Sequence, residues 1–205
     1  MNQTIKTYSQ IYQEYAASNM HFKQIQPKLK KFVKLLNGKK VLDIGCADGR
    51  DTAAFQKLGL EVTGIDLTPE FIKLAKQNHT ECNFVVMDML KLDFAPESFS
   101  GIWASASLLH IPKKEALQSL QGFYRVLDSK GILYFSVMKG DFDGERENKH
   151  NHWGPRHFAD YQQAEIEELL NETNFQKIEI TSNKVSWRPT FLHVFARKNG
   201  ERISS

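Results

Sequence analysis

Residues 41–52, VLDIGCADGRDT, combine a carboxylate with two glycines at a spacing suited to ligand binding. Asp43 stands two positions before Gly45, and Gly49 follows four positions later. Glycine permits tight turns and the close approach of a ligand to the backbone. A helix beginning near Asp51 would add unpaired N–H groups and the positive end of its dipole. The stretch therefore predicts a nucleotide-type binding loop.

Three ligand classes compete for this loop. A triphosphate requires GxxxxGK followed by Ser or Thr, and the chain lacks that pair here. A dinucleotide favours GxGxxG, but Ala47 breaks the glycine spacing and Asp43 would repel a pyrophosphate. A ligand with a cationic amino group would be attracted by the same carboxylate. S-adenosylmethionine carries an ammonium, a sulfonium and an adenosine without phosphate, so it agrees best with these residues.

The segment VLDIGCADG resembles the first motif of class I S-adenosylmethionine-dependent methyltransferases, Asp/Glu-x-Gly-x-Gly-x-Gly, with Ala47 at the middle glycine. The resemblance extends over residues 40–137 motif by motif, and more loosely to the C-terminal end. It implies an α/β fold: a Rossmann-like sheet of seven mostly parallel strands with an antiparallel C-terminal strand pair and helices on both faces.

The resemblance also implies which residues hold the cofactor. Asp66 would bind both ribose hydroxyls, because a carboxylate accepts two hydrogen bonds at once. Asp88 would bind the adenine amino group. The remaining contacts are expected at the loop, beside the adenine and against the methionine part of the cofactor: Asp43, Gly45, Cys46, Gly49, Arg50, Leu67, Met89, Ala104 and Ser105. Arg50 either reaches the cofactor carboxylate or remains exposed.

His110 is the candidate catalytic residue. It follows the fourth predicted strand, at the expected mouth of the site, and histidine titrates near neutral pH. A general base is needed only if the acceptor must lose a proton; otherwise His110 would be a packed residue near the next helix. The segment after this strand lacks NPPY, which is typical of enzymes that methylate amino groups in nucleic acids and proteins. We therefore expect a small-molecule acceptor.

Short apolar runs alternate with amphipathic segments through the middle of the chain. Strands are predicted at 40–44, 61–66, 83–88, 99–105 and 131–137. Helices are predicted at 22–36, 51–59, 68–78, 112–128 and 162–173. Such alternation predicts βαβ units and a parallel sheet. Two strand-like runs without a helix between them, 176–182 and 191–196, predict an antiparallel pair at the sheet edge.

The chain is expected to form one domain, 1–205, with a helical arm at 1–38 and an insert at 139–160 that interrupts the rhythm. Long segments of this kind are usually lids or binding loops, so we expect the insert to cover the substrate. Its Trp153 and Phe158, and Tyr161 just after it, would shape the pocket, and Tyr12 and Tyr15 of the arm could stabilise the sulfonium from the other side. The insert's histidines match no zinc spacing, so no metal is expected.

Composition narrows the remaining possibilities. Of 205 residues 41% are hydrophobic, and the net charge of +3 does not by itself indicate nucleic acid. A lysine-rich face on the helix at 22–36 keeps RNA methylation as an alternative, and a non-catalytic cofactor-binding module is another. Two cysteines, no apolar segment at the start and no membrane-length apolar run predict a cytoplasmic protein without signal peptide or membrane helix.

Overall fold

A computed structural model describes residues 3–18, 22–147, 153–183 and 190–200. Two helices, α1 (Gln3–Ala17) and α2 (Phe22–Leu35), precede the first strand. The strands and helices that follow are β1 (Lys40–Ile44), α3 (Arg50–Lys57), β2 (Glu61–Asp66), α4 (Pro69–Asn78), β3 (Asn83–Val86), β4 (Phe99–Ser105), α5 (Lys113–Val126), β5 (Leu127–Met138), β6 (Asp143–Glu147), β7 (Pro155–Ala159), α6 (Gln163–Glu172), β8 (Phe175–Asn183) and β9 (Phe191–Lys198). A short 3-10 helix, Leu108–His110, lies between β4 and α5.

Seven strands form the main sheet in the order β3-β2-β1-β4-β5-β9-β8. The pairs from β3 to β5 are parallel, whereas β9 runs antiparallel to both β5 and β8. The strand order reverses direction between β1 and β4, and ligands of open α/β sheets bind at such a point, outside the carboxyl ends of the strands. The predicted fold class, including the antiparallel C-terminal pair, is confirmed.

Both faces of the sheet are covered by helices, as predicted. On one face the rings of Phe32 of α2, Phe55 of α3 and Trp103 of β4 pack together with centroids 5.2–5.5 Å apart, and Trp103 meets both phenylalanines edge to face. On the other face Phe123 of α5 and Ile166 of α6 belong to the larger apolar core and are fully buried. Burial of the central strands on both sides explains their nearly continuous apolar sequence.

Several element boundaries differ from their predicted positions, and two of them have a clear structural reason. The helix predicted at 112–128 ends at Val126, because Leu127 already pairs with Phe99 of β4 and is fully buried. The third strand ends at Val86 rather than at Asp88. The chain turns there, since the Leu90 N–H bonds Asp88 Oδ1 over 2.9 Å. That turn brings Met87, Asp88 and Met89 to the edge of the cavity described below.

The insert at 139–160 contains regular structure that its sequence did not indicate. Strands β6 and β7 pair antiparallel as a separate two-stranded sheet; the residues between them, 148–152, lie outside the described part. Strand β7 packs on α1 through two hydrogen bonds. The Thr7 hydroxyl donates to the Pro155 carbonyl over 2.6 Å, and the His157 N–H donates to the Thr4 hydroxyl over 2.9 Å. The arm and the insert are therefore in direct contact, and the role of the insert as a substrate cover stays a prediction.

Candidate functional site

A cavity opens at the carboxyl ends of β1, β2 and β4 and is closed by α1 and the 3-10 helix. Seven of the residues proposed from the sequence line it: Gly45, Asp66, Leu67, Asp88, Met89, Ser105 and His110. The arm adds Thr4, Ile5, Tyr8 and Tyr15. The elements on which these residues lie are distant in sequence, so the parallel sheet is what brings them together.

Two positions of the loop require glycine, because their φ angles are positive and because a Cβ would clash with a neighbouring side chain. Gly45 has a φ of +72°, and a Cβ there would lie 2.4 Å from the Cβ of Ser107. Gly49 has a φ of +82°, and its Cβ would meet the ring of Phe84 at 2.5 Å. Ala47 also adopts a positive φ, 48°, which costs a non-glycine residue some free energy. The small methyl group keeps the loop open where a larger side chain would strain it.

Asp66 is the most fully oriented carboxylate of the cavity. Its Oδ1 accepts the Thr68 N–H over 2.8 Å, and its Oδ2 accepts the Ala47 N–H over 3.1 Å. Each oxygen retains a lone pair, because a carboxylate offers about four acceptor positions. Burial raises the pKa of Asp66. The side chain is thus fixed at the end of β2 and can accept two hydroxyl groups of one ligand.

Three further residues line the cavity together with Asp66: Asp88, Leu67 and Met89. Asp88 is turned inward and half-buried, with Oδ1 held by the Leu90 N–H. Leu67 is 40% exposed at the rim, which is a large exposed fraction for an apolar side chain. Met89 lies beside Asp88 and packs against the core. A flat apolar ring with a polar edge, such as adenine, would satisfy this combination.

Asp43 lies beneath the loop rather than on the cavity wall. It is 3% exposed, and its Oδ2 accepts the hydroxyl hydrogen of Thr52 over 2.6 Å. Burial and the neighbouring carboxylate of Asp51 raise the pKa of Asp43 to about 8. A cationic group above the loop would lower that pKa by favouring the charged form.

Four other residues proposed as cofactor contacts also lie outside the cavity lining. Cys46 is buried, and burial raises the pKa of its thiol well above the usual value. Gly49 begins α3, and Ala104 is fully buried within β4. The Arg50 Nε–H donates to Asp51 Oδ1 over 3.0 Å, so the guanidinium is held at the start of α3. These residues support the loop from below, and their contact with a cofactor stays a prediction.

His110 lines the cavity, in the 3-10 helix after β4. Its Nδ1 lies 2.8 Å from the His157 carbonyl oxygen, which can only accept, so Nδ1 carries the hydrogen. In the neutral ring Nε2 is then an acceptor, and it receives the Tyr8 hydroxyl hydrogen over 2.9 Å. Burial lowers the pKa of His110 to about 3, and the positive charge of Arg156 adds to the lowering. The imidazole is therefore neutral at physiological pH.

An aromatic cluster joins the arm to the body and was only partly foreseen. Tyr15 packs against Tyr8, Phe71 of α4 and Trp153, with ring centroids 5.4–5.5 Å apart. Of the aromatic residues expected at the pocket, Tyr15 lines the cavity, whereas Tyr12, Trp153, Phe158 and Tyr161 are not part of its lining. Tyr8 was not singled out. The only signal was the spacing of Tyr8, Tyr12 and Tyr15 at i, i+4 and i+7, which places all three on one helical face.

Among the described residues, neither the lysine-rich surface of α2 nor the histidines of the insert form a second ligand-binding site. Helix α2 buries Ile25, Leu29 and Phe32, and Lys31 forms an ion pair with Glu179. In the described part of the chain no three potential metal-binding side chains converge. His157 Nε2 lies 2.9 Å from Asp143 Oδ1, whereas His150 and His152 lie outside the described residues. No described helix is long and apolar enough to span a membrane.

The glycine loop and the strands that follow it match a known protein family. Residues 41–131 match the family described as "Methyltransferase domain". A ubiquinone biosynthesis O-methyltransferase of Actinobacillus pleuropneumoniae is 34% identical over 113 residues, which cover 50% of this chain and 47% of that protein. The enzyme of that name from Xanthomonas campestris is 32% identical over 108 residues, covering 50% and 44%. The chain thus spans about half the length of the curated relatives it matches.

Solved structures agree over most of the chain. An S-adenosylmethionine-dependent methyltransferase from Methanosarcina mazei superposes with a TM-score of 0.75 at 21% identity, covering 85% of this chain and 98% of that one. The Burkholderia thailandensis 1,6-didemethyltoxoflavin-N1-methyltransferase, with S-adenosylhomocysteine bound, gives a TM-score of 0.66 at 23% identity, covering 97% and 92%. At these identities the likeness concerns the fold. Residues 41–131 thus carry the sequence pattern of a methyltransferase domain, and the fold around them is the one seen in S-adenosylmethionine-dependent methyltransferases.

Proposed function

We propose that this protein binds S-adenosylmethionine and transfers its methyl group to the hydroxyl of a small-molecule acceptor. The observation that carries the proposal is the composition of the single cavity at the carboxyl ends of β1, β2 and β4. One end of it combines the glycine loop with the oriented carboxylates of Asp66 and Asp88, and the other holds Tyr8 and His110. A cofactor end and an acceptor end therefore share one space.

The residues at the first end match the polar groups of the cofactor. Asp66 would accept both ribose hydroxyls on the lone pairs left by its two backbone hydrogen bonds. Asp88 would accept the adenine amino group, with Leu67 and Met89 against the ring. Gly45 would let the methionine part pass close to the backbone. The remaining loop residues, from Asp43 to Arg50, would hold the amino-acid end indirectly through the shape and charge of the loop.

The acceptor end offers a path for a proton. S-adenosylmethionine supplies an already activated methyl group, so the protein's task is to align the acceptor and remove its proton. The Tyr8 oxygen donates to His110 Nε2 and accepts from Arg156, which leaves one lone pair for the acceptor hydroxyl. As the acceptor oxygen bonds to the methyl carbon, the carbon–sulfur bond would break with its electron pair left on sulfur, giving S-adenosylhomocysteine; the acceptor proton would pass to Tyr8 and the Tyr8 proton to His110.

The names of the relatives favour a small molecule and an oxygen nucleophile. The curated relatives are O-methyltransferases of ubiquinone biosynthesis, and one structural neighbour acts on nitrogen of a didemethyltoxoflavin. A neutral amine needs no base, so a site with an oriented Tyr8–His110 pair suits a hydroxyl better. The cover made by α1 and β7 would exclude water from the reacting groups.

Calorimetry and turnover together test the proposal. The protein should bind S-adenosylhomocysteine, and incubation with labelled S-adenosylmethionine and fractionated metabolites should yield a labelled small product. Labelled RNA in place of a small product would assign the alternative acceptor. Tight binding without any transfer would identify a non-catalytic module, and absence of binding would refute the cofactor assignment.

A further inference from the structure

Arg156, on β7, is a buried cation without a counterion in the described part of the chain. It is 3% exposed. Its Nη1 donates to the Tyr8 hydroxyl oxygen over 3.1 Å. Its Nε and Nη2 are buried and have no hydrogen-bond partner among the described residues, and no described carboxylate forms an ion pair with it. Polar atoms in this position are normally paired, so an unpaired guanidinium edge requires an explanation.

The neighbouring arginine of the same hairpin has the carboxylate partner that Arg156 lacks among the described residues. Arg146 of β6 pairs in register with Arg156, and both guanidinium groups lie over the ring of Phe158, at 4.8 Å and 5.2 Å. Arg146 binds both oxygens of Asp160, at 2.8 Å and 2.9 Å. The more exposed arginine therefore has a bidentate carboxylate partner, whereas the buried one has none among the described residues.

The aromatic neighbours of Arg156 do not replace that partner. Tyr8, Trp153 and Phe158 lie 5.2–5.6 Å from the guanidinium carbon, where ring faces attract a cation. These contacts leave the Nε–H and Nη2–H donors unpaired. Nε and Nη2 form the side edge of the guanidinium group, and their two N–H bonds are parallel and match the two oxygens of a carboxylate. The unpaired donors thus form one complete bidentate edge.

Arg156 does not itself line the cavity, but its Nη1 contacts Tyr8, which does. Tyr8 lines the cavity, donates to His110 and accepts from Arg156, so it connects the arginine to the proposed proton path. Arg156 also acts on His110 electrostatically, because its charge contributes to the low pKa of that ring. A negative group bound at Arg156 would oppose this effect and make His110 a better proton acceptor.

We propose that the methyl acceptor carries a carboxylate and that the Nε–Nη2 edge of Arg156 binds it bidentately. The acceptor thereby supplies the counterion for the buried guanidinium while its nucleophile faces the cofactor end. Helix α1 covers this position through Tyr8, so acceptor binding and docking of α1 stabilise each other. The identification of the ligand as the methyl acceptor rests on the proposed function; the carboxylate site itself does not.

Benzoate and benzamide provide a matched pair of probes, equal in shape and different in charge. Titrated into the protein saturated with S-adenosylhomocysteine, benzoate should bind at least tenfold more tightly than benzamide. R156Q should remove that difference and keep its affinity for S-adenosylhomocysteine. R156K retains the charge but lacks the planar edge, and it should also lose most of the preference. R146Q, the variant of the register partner, should retain the preference for benzoate.

Two results would overturn the proposal: equal binding, or no binding, of the two probes to the wild-type protein, and an unchanged benzoate preference in a folded R156Q or R156K protein. The comparison of the two probes needs no variant, so it decides the matter even if the substitutions prevent folding. Repeating the titration without S-adenosylhomocysteine separates the two proposals. A protein that does not bind S-adenosylhomocysteine but prefers benzoate through Arg156 would refute the methyltransferase function and leave the carboxylate site standing.

Discussion

The hydroxyl of Tyr8 donates to Nε2 of His110 across 2.9 Å, although the two residues are 102 positions apart in the sequence. The His157 carbonyl fixes the ring by accepting from Nδ1, so the basic nitrogen of His110 is directed at the arm. Helix α1 therefore forms part of the cavity wall and is not only a support for the fold.

The first prediction concerns the hydroxyl of Tyr8. Tyr8→Phe retains the ring that packs on Phe71 but removes the proposed proton path, so turnover should fall by ~10²–10⁴-fold, the usual loss for a general base. Affinity for S-adenosylhomocysteine should stay nearly unchanged. Turnover of labelled cofactor measures the effect, and Tyr12→Phe, on the same helix but off the cavity wall, is the control. Equal losses in the two variants would show that the hydroxyl has no special role.

The second prediction concerns His110 and pH. Because burial lowers the pKa of His110 to about 3, the ring stays neutral from pH 5 to pH 8 and its lone pair is available throughout. The pH profile of kcat should then show no inflection near 6.5 that belongs to His110. His110→Gln should lower kcat without changing cofactor affinity. An inflection near pH 6.5 that this variant abolishes would contradict the assigned pKa, and unaltered kcat would indicate an amine acceptor.

The sheet was predictable because its signals are local. Apolar strands alternate with helices that carry their own start residues, such as Thr68 as N-cap and Pro69 at the first helical turn. Strands 40–44, 61–66 and 99–105 therefore have the bounds expected from sequence. The family resemblance implied that Asp66 and Asp88 lie at the cavity, and both line it, because residues at the carboxyl ends of neighbouring parallel strands converge.

The cover was not predictable in the same way. Strands β6 and β7 have charged, irregular sequences because their stability comes from contacts with α1 and the 3-10 helix rather than from an apolar face of their own. Arg156 was not singled out from the sequence. Only the fold shows that it is buried beside Tyr8, since nothing in the sequence of the insert indicates which helix will cover it.

The third prediction concerns Asp43 and stability. Its pKa is raised to about 8 in the folded protein and is ~3.9 in an unfolded chain, so the folded state binds more protons between these values. The stabilisation associated with protonated Asp43 is complete below about pH 4 and is lost as the pH rises towards 8. The free energy of unfolding, measured in urea over this pH range, should fall more steeply in wild type than in Asp43→Asn. The difference should be on the order of a few kcal/mol.

A control variant makes the Asp43 comparison specific. Asp93→Asn removes an exposed carboxylate and should follow the wild-type pH dependence. If wild type instead gains stability relative to Asp43→Asn as the pH rises, Asp43 is ionised in the folded protein and its buried position is stabilised by a cation that this account does not include.

The fourth prediction concerns the cover. Helix α1 and β7 are joined by the hydrogen bonds of Thr4 and Thr7, so they should open and close together. Binding of S-adenosylhomocysteine should slow amide hydrogen exchange in both segments and leave the buried strand β4 unchanged. Slowing in α1 alone would separate the arm from the insert. Full protection of both segments in the free protein would contradict a mobile cover.

The central claim is that Asp66 and the glycine loop form an S-adenosylmethionine site, and calorimetric titration of Asp66→Ala tests it most directly. The substitution removes the charge-assisted hydrogen bonds to the ribose hydroxyls, so affinity for S-adenosylmethionine and S-adenosylhomocysteine should fall by ~1.5–3 kcal/mol. Asp93→Ala, at an exposed position away from the cavity, should bind like wild type. Wild-type affinity in a folded Asp66→Ala protein would contradict the ribose assignment, and binding of NAD in place of S-adenosylmethionine would contradict the account as a whole.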